Sequence, residues 1–202
     1  CIYKNLEEIT RYLAGLGGNF EVIVADDGSL DNTVSEIERF MIRDYRVVLR
    51  KNKENRGKGY TVKNALLSAR GKYRIFTDAD FSTPVFEIKK MLEVLQEGYD
   101  VVIGSRKVKG AAIVKYQPVL RRCMGWGFNQ CVKTILLGGI KDTQCGFKGF
   151  TSAAAEKIFP LLRCDRYSFD VEILYLAGKY GFKIKEIPIQ WCHAGNSKIR
   201  AV

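Results

Sequence analysis

The sequence predicts an α/β fold with a mainly parallel, Rossmann-like sheet flanked by helices. Helix and strand patterns alternate along the whole chain, which is typical of parallel sheets. The strand candidates are short apolar runs such as residues 20–25 (FEVIVA) and 100–104 (DVVIG), as expected for buried strands. The 202 residues, 47% of them hydrophobic, are enough for one substantial core.

The first half of the chain contains four of the predicted strands. Leu6, Ile9 and Leu13 recur at helical spacing, so a helix is predicted at residues 5–16, before the strand at 20–25. Asp31 or Asn32 is expected to cap the second helix. The elements that follow are a strand at 46–50, a helix at about 60–68, a strand at 72–77, a helix starting at Pro84 and running to 96, and the strand at 100–104.

The second half is predicted to contain two more strands and two more helices. They are a short strand near 149–150, helices at 153–159 and 169–179, and an alternating strand at 183–190 (KIKEIPIQ). A polar loop is expected at residues 142–148. No repeat, low-complexity linker or composition boundary interrupts this order, so residues 1–202 are predicted to form a single domain.

Composition narrows the function classes. The six cysteines show no C-x-x-C spacing and lie in apolar contexts, which favours buried free thiols in a reducing, cytosolic environment. The single histidine disfavours a histidine-rich metal site or a histidine-based triad. No apolar run reaches the 18 or so residues of a membrane span.

The net charge of +11 has two interpretations. One is a solvated basic surface, and the other is a polyanionic partner such as nucleic acid, an anionic membrane or a phosphate-rich substrate. A nucleic-acid-binding module is disfavoured, because the basic residues are distributed and no nucleic-acid motif is present.

Acidic residues follow two of the predicted strands. Asp78 and Asp80 come directly after the strand at 72–77, where open α/β sheets place ligands. Residues i and i+2 of an extended chain point to the same side, so both carboxylates could bind one Mg²⁺ or Mn²⁺ ion. Asp26 and Asp27 follow the strand at 20–25 and could accept hydrogen bonds from ribose hydroxyls. The structural alternative for Asp78 and Asp80 is a solvated turn. For the segment at Asp26 and Asp27 it is capping of the helix that follows.

Basic residues follow the fourth strand. Arg106 comes directly after it and therefore shares the edge that carries the aspartates, where a guanidinium group suits phosphate. Between residues 106 and 133 basic residues alternate with apolar and aromatic ones, which indicates either contact with membrane headgroups or a helix packed on the domain. Gly57-Lys58-Gly59 is either a phosphate-binding loop or a tight turn into a helix.

Taken together and in order, these segments resemble family 2 glycosyltransferases. They are VIVADDGSLDNT, NRGKG, FTDADFSTP, VIGSR, DTQCGFK, SFDVEILYLA, and EIPIQW with GNSK. The resemblance extends from about residue 5 to residue 200 and is strongest to dolichyl-phosphate glucosyltransferases and polyprenyl-phosphate glycosyltransferases.

The resemblance implies a GT-A fold and inverting transfer of a hexose from a nucleotide sugar. UDP-glucose is the favoured donor and a polyprenyl or dolichyl monophosphate the favoured acceptor, at the cytosolic face of a membrane. GDP-mannose as donor, or a saccharide or another lipid as acceptor, is the alternative. The implied cofactor is Mg²⁺ or Mn²⁺. The oligomeric state is left open.

The resemblance also assigns roles to individual residues. The nucleotide-sugar site comprises Asp26, Asp27, Asp78, Ala79, Asp80, Ser82, Arg106 and Lys198. Within it, Asp78 and Asp80 correspond to the metal ligands, and Lys198 to a lysine in a loop that closes over the diphosphate. Arg106 and Arg122 correspond to arginines that bind the acceptor phosphate, although Arg121 is adjacent. Asp80 and Asp142 are the catalytic candidates, and Glu172 is expected to orient other groups.

One departure from the family pattern concerns the start of the chain. Family members begin with a strand that ends in a P-x-Y-N-E-like segment, and this sequence starts at Cys1-Ile2-Tyr3-Lys4-Asn5-Leu6. The first strand is therefore expected to be missing from the sequence given.

Overall fold

The computed structural model describes residues 2–115 and 139–192, in which helices and strands alternate. The elements in chain order are α1 (Ile2–Leu16), β1 (Val22–Asp26), α2 (Thr33–Arg43), β2 (Val47–Lys51), α3 (Lys58–Ser68), β3 (Tyr73–Thr77), α4 (Glu87–Gln96), β4 (Val101–Ser105), β5 (Ala112–Lys115), β6 (Phe147–Thr151), α5 (Ser152–Ile158), a 3₁₀ turn (Phe159–Leu161), α6 (Phe169–Lys179), β7 (Ile184–Pro188) and β8 (Gln190–Cys192).

The strands form one sheet of four and two pairs. The larger sheet has the order β3-β6-β4-β7, while β1 pairs with β2 and β5 with β8. The pairs β1–β2, β4–β7 and β5–β8 are parallel, whereas β6 runs antiparallel to both of its neighbours. The predicted α/β class is confirmed, but the antiparallel direction of β6 was not predicted. Within the described residues β1 pairs only with β2, and β3 only with β6.

The main core lies around β4. All five of its residues are buried, since β4 is an inner strand and α4 packs against it. Met91 and Leu95 of α4 and Phe150 of β6 are each at most 2% exposed. Burying side chains of this size contributes roughly 1.5–3 kcal/mol apiece. A smaller cluster of Leu6, Ile37, Phe40 and Val47 joins α1 and α2 to the β1–β2 pair.

Several boundaries differ from the sequence predictions for physical reasons. Helix α4 begins at Glu87, because Pro84 lies in a preceding turn whose carbonyl accepts the Glu87 N–H. The predicted strand at 183–190 is divided into β7 and β8: β7 ends at Pro188, which has no N–H to donate. Lys148, predicted in a polar loop, lies in β6 and is completely buried.

The described residues bear on the predictions about membrane-spanning helices and about free cysteines. Among the described residues no helix is both long and apolar enough to cross a membrane. Of the cysteines in these ranges, Cys145, Cys164 and Cys192 are all free thiols; Cys145 is buried and Cys192 is exposed, so burial was predicted correctly for only some of them.

Candidate active site

Several of the predicted site residues that the structure describes lie at one edge of the sheets. Strand β1 ends at Asp26, and Asp78 follows the last residue of β3. Arg106 follows the last residue of β4 in the same way. The start of β6 reaches the same edge, because Phe147 pairs with Thr77, the last residue of β3. The segment before β6 therefore brings Asp142 to the ends of β3 and β4.

The carboxylate of Asp26 accepts hydrogen bonds from the loop that follows it. Asp26 is 5% exposed, and its Oδ2 accepts the backbone N–H groups of Gly28 (3.2 Å) and Ser29 (3.1 Å). The N-cap of α2 is Asn32, whose side chain makes no capping hydrogen bond; Asp31 Oδ1, one residue earlier, accepts the N–H of Thr33 at 3.0 Å. Asp26 thus shapes the turn that follows β1.

The carboxylate of Asp27 binds the loop that precedes α3. Its Oδ1 accepts Asn52 Nδ2 (2.9 Å) and the Arg56 N–H (2.8 Å), and its Oδ2 accepts the Gly57 N–H (2.9 Å). Burial alone would raise the pKa of Asp27, but these hydrogen bonds outweigh it and hold the pKa below its usual value. Asp27 is therefore an ionised anchor for the start of α3.

The carboxylate of Asp78 faces a lysine. The Lys58 ammonium group donates to Asp78 Oδ1 at 2.6 Å, and 43% of the Asp78 side chain is exposed. Gly146 lies directly behind this carboxylate, because a Cβ placed there would come within 2.2 Å of Asp78 Oδ2. The segment before β6 is thus in contact with Asp78, and only glycine leaves room for that contact.

Asp80 lies in an exposed turn after β3. Its Oδ1 accepts the N–H of Ser82 at 2.9 Å, and the Phe81 N–H donates to the Asp78 carbonyl. Phe81 has a φ of +48°, a conformation that side-chain-bearing residues rarely adopt and that is often found at functional sites. Asn5 of α1 holds the turn from outside by donating to the Ala79 carbonyl at 2.7 Å.

Arg106 and Asp142 form a buried ion pair. Arg106 Nε and Nη2 donate to the two carboxylate oxygens of Asp142 at 2.7 and 2.8 Å, and the Arg106 N–H adds a third bond at 3.0 Å. The Asp142 side chain is 0% exposed, and Lys107 Nζ lies 3.9 Å from its Oδ1. Burial alone would raise the pKa of Asp142, but the hydrogen bonds and charge of Arg106 hold it below the usual value. Asp142 therefore stays ionised and orients Arg106.

A second buried ion pair was not predicted from the sequence. Lys148 Nζ donates to Asp170 Oδ1 at the start of α6 and to the Cys145 carbonyl at 2.6 Å. Burial raises the pKa of Asp170 above its usual value despite the nearby ammonium group. Burial likewise raises the pKa of Cys145 to about 12, so this thiol stays protonated. Lys148 lies within the DTQCGFK segment, but nothing in the sequence around it indicates that its partner is Asp170.

Two predicted site residues lie outside the described part of the chain, and Glu172 contacts the loop before α6. Arg122 and Lys198 lie outside the described residues, as does most of the basic segment between 106 and 133. Glu172 accepts the N–H groups of Arg163 and Cys164, which agrees with an orienting role.

The chain matches the model of glycosyl transferase family 2 over residues 1–159 and belongs to this family. It is 38% identical over 188 residues to the dolichyl-phosphate β-glucosyltransferase of Dictyostelium discoideum, a match that covers 90% of the chain and 58% of that protein. The enzyme of the same name from Saccharomyces cerevisiae is 37% identical, with 91% and 60% covered. The chain therefore spans less than two thirds of the curated relatives it matches.

Solved structures confirm the GT-A fold that the resemblance implied. Glucosyl-3-phosphoglycerate synthase from Mycobacterium tuberculosis, in complex with Mn²⁺, UDP and phosphoglyceric acid, superposes with a TM-score of 0.66 at 18% identity. The match covers 97% of this chain and 66% of that one. A Pyrobaculum calidifontis mannosyltransferase in complex with GDP-Man and Mn²⁺ has a TM-score of 0.57 at 18% identity, with 88% and 48% covered.

Asp78 and Asp80 could supply two carboxylate ligands to a divalent cation. Both supply hard carboxylate oxygens at the surface, and the described contacts leave Asp80 Oδ2 without a hydrogen bond. In the described ranges no cluster of three or more His, Cys, Asp or Glu residues could hold a metal by itself. Mg²⁺ commonly binds through one or two carboxylates, with water and substrate phosphates completing the shell.

Proposed function

We propose that this chain is the catalytic domain of an inverting glycosyltransferase that moves glucose from UDP-glucose to a dolichyl or other polyprenyl monophosphate. The observation that carries the proposal is that Asp78 and Asp80, which follow β3, and Arg106, which follows β4, lie at the same edge of one sheet. The choice of glucose as the sugar and of a dolichyl or polyprenyl phosphate as the acceptor is supported by the 38% identity to a dolichyl-phosphate β-glucosyltransferase.

The donor is bound through the two acidic strand ends. Asp78 and Asp80 would hold Mg²⁺ or Mn²⁺, which when bound would neutralise the diphosphate leaving group. The backbone of Ala79 and the side chain of Ser82 lie beside this diphosphate, and Lys198 closes over it. Asp26 and Asp27 shape the loops that receive the nucleoside.

The acceptor phosphate is bound by arginine. Arg106 and Arg122 bind it, and Asp142 fixes the Arg106 guanidinium group through two hydrogen bonds. A phosphate monoester is already anionic near pH 7, so its oxygen attacks the anomeric carbon without a strong base. The new bond between carbon and phosphate oxygen forms as the bond to the nucleoside diphosphate breaks. The protein contributes position and charge stabilisation.

A polyprenyl acceptor requires a membrane surface. The net charge of +11 and the basic, aromatic composition of residues 106–133 support binding to anionic headgroups. We place this contact at the cytosolic face.

The test is transfer of radiolabelled sugar to dolichyl and undecaprenyl phosphate, from UDP-glucose and in parallel from GDP-mannose, with Mg²⁺ or with EDTA. We expect labelled lipid from UDP-glucose, with Mg²⁺ only. Labelling from GDP-mannose alone would show that the donor is GDP-mannose and not UDP-glucose. Labelling of soluble saccharides instead of lipid would show that the acceptor is a saccharide. Equal labelling in EDTA would contradict the metal assignment.

A further inference from the structure

Asp142 is held from two sides. Its carboxylate binds Arg106, and its backbone is bound from β7 by the carboxylate of Glu186. Glu186 Oε1 accepts the Asp142 N–H at 2.8 Å, and Oε2 accepts the Lys141 N–H at 2.8 Å. Because two consecutive N–H groups donate to the two oxygens of one carboxylate, the orientation of the peptide between Lys141 and Asp142 is fixed. Glu186 pairs with Ile103 of β4, the strand whose last residue directly precedes Arg106.

The guanidinium group of Arg106 is confined as well. Asp142 accepts hydrogen bonds from its Nε and Nη2 at 2.7 and 2.8 Å, so the Nη1 end points away from this carboxylate. The ring of Trp191, itself buried, lies 5.4 Å from Arg106 Cζ. The Arg106 side chain is 21% exposed. Because a guanidinium group binds phosphate through directional hydrogen bonds, its affinity depends on where this end is held.

Both supports of this arginine come from neighbouring strands. Strand β7 carries Glu186, which holds the Asp142 backbone, and β8 carries Trp191. Glu87 of α4, which is 5% exposed, fixes the start of β8 by accepting the Gln190 N–H at 2.8 Å. Arg106 is therefore positioned by β7 and β8 as well as by its own loop.

The buried ion pair transmits the position of the backbone at 141–142 to the arginine. The Asp142 side chain is 0% exposed, and separating it from Arg106 would leave a buried charge without its partner, which is strongly unfavourable. A shift of this backbone therefore moves the guanidinium group instead of breaking the pair. Glu186 sets the backbone position through the two N–H groups whose hydrogen bonds it accepts.

We propose that Glu186 is a positioning residue for the acceptor phosphate: through Asp142 it sets where the Arg106 guanidinium group meets that phosphate. This inference rests on the proposed function, since it takes Arg106 to bind the acceptor. It separates the two substrates, because loss of the Glu186 carboxylate should impair use of the acceptor and leave binding of the donor intact.

The test measures KM for each substrate separately in the lipid-labelling assay. Dolichyl phosphate is varied at saturating UDP-glucose, and UDP-glucose is varied at saturating dolichyl phosphate. The proteins are the wild type, Glu186→Gln, Asp142→Asn and the double variant. Titration calorimetry of UDP at saturating Mn²⁺ checks the nucleotide site independently, and thermal unfolding checks the fold of each variant.

Glu21→Gln is the matched control. It removes the same charge by the same substitution, and Glu21 Oε1 also accepts a backbone N–H from a distant segment, that of Arg70 at 2.6 Å. Glu21 directly precedes β1 and so lies at the end of that strand opposite to Asp26. Both KM values of this control should stay within about twofold of wild type, because its contact is remote from Arg106.

We expect Glu186→Gln to raise KM for dolichyl phosphate about 5- to 20-fold, with a smaller fall in kcat. One of the two N–H groups then faces an amide donor instead of a carboxylate oxygen, and small displacements of a positioned group weaken its action strongly. KM for UDP-glucose and the affinity for UDP should change less than about twofold. Asp142→Asn should raise the acceptor KM further, and adding Glu186→Gln to it should change that value less than about twofold, because the two residues act in series.

Three results would overturn the inference. They are an unchanged acceptor KM in Glu186→Gln, an equal rise of both KM values, which a purely structural role would produce, and fully additive effects in the double variant. A wild type that labels no lipid phosphate from UDP-glucose would instead overturn the proposed function and with it this inference; that result is visible before any variant is compared.

Discussion

The two acidic strand ends look alike in the sequence but differ in what their carboxylates do. After β1, the oxygens of Asp26 and Asp27 accept hydrogen bonds from backbone N–H groups and from Asn52. After β3, Asp78 contacts a lysine side chain, and Asp80 accepts a single N–H. The first pair builds loops, and the second pair is available to a ligand.

The difference shows that a carboxylate at the carboxyl end of a strand has two distinct uses. Backbone N–H groups are fixed, so a carboxylate that satisfies them is committed to the fold. A lysine side chain can move, so a carboxylate paired with it can exchange its partner for a cation. Substitutions at the two strand ends should therefore separate stability from activity.

The largest effect is expected for Asp80→Asn. The variant keeps an oxygen that can accept the Ser82 N–H but loses the charge that binds a cation. Transfer activity should fall about 100- to 1,000-fold, in line with losing one group that stabilises transition-state charge. The free energy of unfolding should change by less than about 0.5 kcal/mol, because Asp80 is exposed. Activity comes from the lipid-labelling assay and stability from urea unfolding; full activity would remove Asp80 from the metal site.

The next effect is expected for Asp27→Ala, and it should appear in stability. The substitution leaves the Arg56 and Gly57 N–H groups without their acceptor, and Asn52 Nδ2 keeps only its hydrogen bond to Thr61 Oγ1. Stability should fall by about 2–4 kcal/mol in urea unfolding. Asp80→Asn serves as the comparison, since it removes a carboxylate of the other kind. A loss of stability equal in the two variants would contradict the division between the strand ends.

A smaller effect is expected for Gly146→Ala. The new methyl group must displace the Asp78 carboxylate, whose Oδ2 lies 2.2 Å from the Cβ position. Activity should fall about tenfold, and stability should change little, because the displaced group is a partly exposed side chain. The matched control is Gly178→Ala in α6, where a Cβ meets nothing within 4 Å and helix propensity predicts a gain of roughly 0.5–1 kcal/mol. Unchanged activity in Gly146→Ala would show that the position of Asp78 is not critical.

Local patterns in the sequence predicted most of the fold. Apolar runs and helical spacing located the helices and strands to within a few residues, because each element buries its own face. The direction of β6 was not predictable, since a strand looks the same whether its neighbours run parallel or antiparallel. The division of the last predicted strand into β7 and β8 was not predicted, although Pro188 lies at the division.

The candidate site was predictable in its position but not in its pairings. Strand ends placed Asp78 and Arg106 at one edge, because carboxyl ends of parallel strands share an edge. The partners are distant in the sequence: Arg106 pairs with Asp142, 36 residues away, and Lys148 with Asp170, 22 residues away. Such contacts depend on the assembled fold, so no local pattern shows them. The ion pair of Lys58 was missed for the same reason.

The smallest expected effect is a dependence of stability on pH that distinguishes wild type from Asp27→Asn. The folded protein holds the pKa of Asp27 below its value in the unfolded chain, which is about 3.9. The stability that this carboxylate contributes is therefore fully present above pH 4 to 5 and is lost as pH falls through the folded pKa. Asp44 and Asp142 also have lowered pKa values, but they occur in both proteins and cancel in the difference. Urea unfolding of both proteins between pH 7 and pH 3 should show a free-energy difference that narrows towards acid. A difference that stays constant over this range would mean that the charge of Asp27 adds nothing to its hydrogen bonds, and that Asp27 holds the start of α3 as a neutral acceptor would.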